Sequence, residues 1–142
     1  MNHLDREKEL REAKLAGQEA LDCLNRAADS LKSAGNWGIV DMLGGGMIST
    51  FIKHSKMNGA EELVQQARSA LKRFQKELMD VETVEDFHIE TGDFLAFADY
   101  FFDGIIADWL MQSRINDARA QVENARQKVM YIMRQLDEYL SR

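Results

Sequence analysis

The sequence predicts an all-α fold of long antiparallel helices packed as a coiled-coil-like bundle. Three observations carry that expectation: the complete absence of proline, a 3-4 alternation of apolar and small residues sustained in three stretches, and an internal repeat. With 142 residues, the chain has the size of one domain, 1–142, able to bury a core without disulfides or structural metal. Good helix formers, Ala, Leu, Glu, Lys, Gln, Arg and Met, are abundant.

In the first stretch Leu10, Ala13, Gly17, Ala20, Leu24, Ala27, Leu31 and Ala34 recur at heptad spacing, which predicts a helix over about 3–34. Small residues at alternate seam positions let a neighbouring backbone come close. Leu21 and Ala28 widen the stripe beyond a two-stranded seam, so this helix is expected to have more than one partner. Ala34, Gly35 and Asn36 are expected to end it, because Gly and Asn tolerate the left-handed conformation that closes helices.

A second helix is expected over about 38–82. Its opening, WGIVDMLGGGMISTFI, is apolar nearly all round and is interrupted by Asp41 and by Gly44, Gly45 and Gly46. Each glycine weakens a helix interior by about 1 kcal/mol, so the run marks a bend or a very close helix crossing. A heptad series follows at Met57, Ala60, Val64, Ala67, Leu71, Phe74, Leu78 and Val81. Asn58 and Glu61 have capping-box spacing, so a new helix could start there; continuity through Asn58 and Gly59 is the preferred reading. Residues 83–92 lose the period and read as a loop.

The third helix is expected over about 93–141. It opens on FLAFADYFFDGIIADWLM, carrying Asp99, Asp103 and Asp108, and continues through Ile115, Ala118, Val122, Ala125, Val129, Ile132, Leu136 and Tyr139. As a single rod it would be about 70 Å long at 1.5 Å per residue.

Residues 41–78 laid over 99–136 match at ten of 38 positions without a gap. Ala, Val and Leu matches follow from any two heptad helices in phase, but Asp41/Asp99, Gly46/Gly104, Ser55/Ser113 and Asn58/Asn116 do not. The repeat predicts a pseudo-two-fold arrangement. A hairpin folded about residues 86 and 87 would bring Met57 opposite residue 116, and Ser55, Asn58, Ser113 and Asn116 would form a polar cluster that fixes helix register.

No catalytic motif is present. The glycine run is not a phosphate loop, since Met47 stands where that motif needs Lys. Gly44, Gly45, Gly46 and Gly104 are read instead as close-packing positions. Asp41, Asp99, Asp103 and Asp108 lie in apolar strings, where a carboxylate must be paired, hydrated, protonated or metal-bound. Buried hydrogen bonds or salt bridges to Lys53, His54 or Arg114 are the expected solution. A metal or small-molecule site using these aspartates and His54 is the alternative, although the only Glu-x-x-His spacing, Glu85 to His88, falls in the expected loop. His54 has no visible second group for acid-base work, and Cys23 no visible His partner for nucleophilic work.

The net charge of −6 opposes a general nucleic-acid binder, which needs a dense Lys/Arg face. The charged opening stretch lacks the apolar run of a secretory signal, so a cytoplasmic location is expected, and Cys23, the single cysteine, is compatible with a reducing cytoplasm. Membrane association through the two apolar strings is a further alternative that their acidic residues oppose. Trp37, Phe51, Phe94, Phe97, Tyr100, Phe101, Phe102 and Trp109 amount to more aromatic surface than a thin hairpin covers, which predicts a homodimer.

The strings GNWGIVDMLGGGMISTFIKHSK (35–56) and FADYFFDGIIADWLMQSRIND (97–117) resemble the hallmark segments of a bacterial family of helical hypothetical proteins, and the resemblance extends over most of the chain. It implies a bacterial, cytosolic origin and a helical fold, and transfers no catalytic residue. The expected function is a non-enzymatic, self-associating interaction module that offers a surface to a protein partner and requires no cofactor.

Overall fold

The computed structural model describes residues 3–44, 47–82, 91–102 and 114–141, with side chains described over 5–32, 59, 61–81, 91–92, 94–100 and 114–141. These residues form four helices and no strand: α1 His3–Gly44, α2 Met47–Glu82, α3 Gly92–Phe102 and α4 Ile115–Leu140.

The heptad positions form the core. Leu10, Ala13, Ala20, Leu24, Ala27 and Leu31 of α1 are buried, and so are Val64, Ala67, Leu71, Phe74, Leu78 and Val81 of α2. On α4 the buried row is Ile115, Ala118, Val122, Ala125, Val129, Ile132 and Leu136, with Tyr139 half-buried at its end. Each fully buried Leu, Ile, Val or Phe stabilises the fold by about 1.5–3 kcal/mol, and the alanines between them let the backbones approach. Phe94, Phe97 and Ala98 of α3 complete the core.

Side-chain contacts set the helices' relative levels. Lys14 reaches Asp137, near the end of α4, at 2.7 Å, whereas Ala28, Asp29 and Lys32 share a groove with Asn116, Arg119, Ala120 and Glu123, near its start. Arg73 of α2 reaches Glu19 at 2.7 Å, and Arg26 lies in a groove with Gln66. Residue numbers therefore fall along α2 and α4 as they rise along α1. Gly17 sits where the three helices meet: a Cβ added there would collide with Met133 Sδ of α4 and lie 3.0 Å from the Phe74 ring of α2. The Phe94 ring of α3 stands edge-on to Phe74, centroids 5.4 Å apart at 66°, and Lys128 Nζ of α4 lies 5.7 Å from the centroid of Phe97.

α2 and α4 each pack on α1 and on α3, while no backbone packing joins α2 to α4 among the described residues. The expected hairpin, with Met57 opposite residue 116 on directly paired helices, is thus corrected. The aromatic face of α3 occupies the space between α2 and α4, and α1 fills the other side.

Three helix boundaries differ from expectation. α1 runs through Ala34, Gly35 and Asn36 to Gly44. Gly and Asn permit a left-handed stop without compelling one, and a long helix already nucleated tolerates about 1 kcal/mol per glycine. Residues 38–44 consequently close α1 and do not open α2, which begins at Met47. α2 is continuous through Asn58 and Gly59, the preferred reading.

The single rod over 93–141 is divided. Arg114, with φ −88° and ψ 62°, is not helical and precedes α4, where its Nε binds Asp117 Oδ2 at 2.7 Å and its carbonyl accepts the Ala118 N–H at 3.1 Å. A straight rod would carry the row from Ile115 to Leu136 away from the α1 seam, so burying both apolar faces requires the chain to reverse. At the other end the Thr91 carbonyl accepts the Leu95 N–H at 2.8 Å and opens α3.

Candidate functional site

The expected aspartate site is only partly within the described residues. Asp99 is exposed on α3. Asp41 lies on the α1 backbone and His54, Ser55 and Asn58 on that of α2, their side chains outside the described set, as are Gly45, Gly46, Asp103, Gly104, Asp108 and Ser113 altogether. Gly44 is the last residue of α1. Asn116, in the first turn of α4, is exposed and lines the α1–α4 groove beside Ala28, Asp29 and Lys32.

A different carboxylate group is assembled where α1 meets α2. Glu9 and Glu12, one turn apart, face Glu77, and one oxygen from each lies within 4.8 Å of the others. Glu77 Oε2 is sealed from solvent without a hydrogen-bond partner. Burial is the main reason the Glu9 carboxyl is pushed above its ordinary value, and the charges of Glu12, Asp80 and Glu77 push the same way, against a smaller pull from Lys8. Chemically the group offers hard oxygen ligands of the kind that calcium or magnesium take, with water left to fill most of the shell. Sequence reasoning missed it because Glu9 and Glu77 meet only once the α1–α2 register is known. The available signal was three glutamates flanking heptad positions at Leu10, Ala13 and Leu78.

The sign of the resulting pH dependence follows from linkage. Glu9 binds its proton more readily folded than unfolded, so stability falls as pH rises from the ordinary value of 4.5 through the raised one. Relief of like-charge repulsion in Glu9→Gln is expected to stabilise the chain by about 0.5 kcal/mol at pH 7 and to flatten that slope. Urea melts at pH 4.5 and 7 check it; a variant equally or less stable at pH 7 contradicts the repulsion. Glu123 behaves oppositely. Gln127 Nε2 at 3.0 Å and Arg126 Nη1 at 2.6 Å hold its carboxyl below the ordinary value, so its contribution is lost as pH falls through the lowered one.

Two open grooves flank α1. One, of about 430 Å³, lies against α2 and is lined by Glu19, Asp22, Cys23, Arg26, Gln66, Ser69, Ala70 and Arg73; the other, of about 390 Å³, lies against α4. Both carry mixed charge. Burial pushes the Cys23 thiol up, with Glu19 and Asp22 adding to it and Arg26 opposing. Since the thiolate is the reactive species, alkylation of Cys23 near pH 7.5 is expected to run several-fold slower in the folded chain than in urea. Equal rates, followed by mass, would contradict the burial.

None of the described helices is long and apolar enough to cross a membrane. Comparison of the chain with protein-family models, with curated proteins and with solved structures gives no match.

Proposed function

We propose that the chain is a non-enzymatic helical interaction module of the bacterial cytoplasm that self-associates as a homodimer and thereby presents a surface to a protein partner. In this reading α1 to α4 alternate in direction as an antiparallel, coiled-coil-like bundle. Residues 41–78 and 99–136 are its matching stretches, related by a pseudo-two-fold axis. The support is the sequence match itself, ten of 38 positions that include Asp, Gly, Ser and Asn pairs.

One observation carries the proposal: the part of α1 that leads toward the first apolar string and the start of α4, which follows the second, lie side by side at one end of the described core. Lys32, after which α1 continues into the first string, shares a groove with Asn116, just after the second. The large exposed apolar side chains among the described residues, Leu15, Met79, Tyr100 and Tyr131, fall one to a helix, as isolated surface residues do. Phe94 and Phe97, expected among the uncovered aromatics, are buried within the chain itself; the strings also contain Trp37, Phe51, Phe101, Phe102 and Trp109, which a second copy covering that end would bury.

The test is the molar mass in solution. A dimer at micromolar concentration by light scattering is expected, and Trp37→Lys combined with Trp109→Lys is expected to weaken it at least tenfold. A monomeric parent chain would overturn self-association. A double variant that dimerises as tightly as the parent would overturn this end as the interface.

A further inference from the structure

We draw no further inference here: the strongest candidate, the Glu9–Glu12–Glu77 carboxylate cluster between α1 and α2, is an acidic cluster whose three members each keep part of their surface in water, and no second observation points to a ligand held there.

Discussion

Replacing Phe74 with Ala is expected to lower stability by about 3–5 kcal/mol, the range for emptying a buried aromatic site. Phe74 is fully buried, and its ring touches two other helices: it stands edge-on to Phe94 of α3 and lies beneath the position a Gly17 Cβ would take on α1. No neighbour fills the gap readily, because the α1 side is already glycine. For a chain of this length the loss corresponds to a fall of about 10–20 °C in Tm. The Phe94→Ala variant and the double variant close a cycle, in which a coupling of about 0.5–1.5 kcal/mol is expected for an edge-on ring pair. Circular-dichroism melts and urea titrations give both quantities. A Phe74→Ala loss below about 1 kcal/mol would show that α2 does not present this face to the core.

The second large effect is of the opposite kind, overfilling. Gly17→Leu is expected to lower stability by about 3 kcal/mol, since the added side chain must displace Met133 and the Phe74 ring from a packed junction. Met133→Ala in the same chain vacates the volume nearest the new side chain and is expected to recover part of the loss. Gly59 supplies the contrast, because a Cβ there meets no atom within 4 Å. Gly59→Ala is expected to stabilise α2 by about 0.5–1 kcal/mol through helix propensity alone. Two glycine substitutions of opposite sign, measured by denaturant midpoint, separate packing from backbone preference. If both raised stability, the three-helix junction at Gly17 would be wrong.

Much of this architecture was legible in the sequence because helical burial is periodic. The rows from Leu10 to Leu31, from Val64 to Val81 and from Ile115 to Leu136 were read from spacing alone, and all are buried. Gly17 fell on that row too, but the room it leaves is taken by the side chains of Met133 and Phe74 and not by the close backbone its size suggested. Helix termination was harder to read. Gly35 and Asn36 are compatible with both a stop and a continued helix, so residue type alone does not choose between them, and α1 continues to Gly44. The separate α3 was illegible for a related reason. FLAFADYFF is apolar nearly all round, so periodicity could not show that one side of it faces α2 and another α4. The carboxylate group was hidden because Glu9 and Glu77 are distant in sequence and become neighbours only through register. The aspartates and the serine and asparagine pairs were conspicuous for standing in apolar strings, but that anomaly names the residues without naming their neighbours.

The place of α1 between the second and fourth helices constrains the order in which the chain can assemble. As synthesis proceeds, the first two helices can dock as soon as both have emerged, but the side of α1 bearing Lys14 and Ala28 must wait until the last helix is made. During that interval the strip of α1 that includes Gly17 and Ala28 stays wet and open to any amphipathic helix nearby. Fragments that stop short of Ile115 should therefore be the aggregation-prone species of this protein, and co-expressing the missing C-terminal segment should return them to solution.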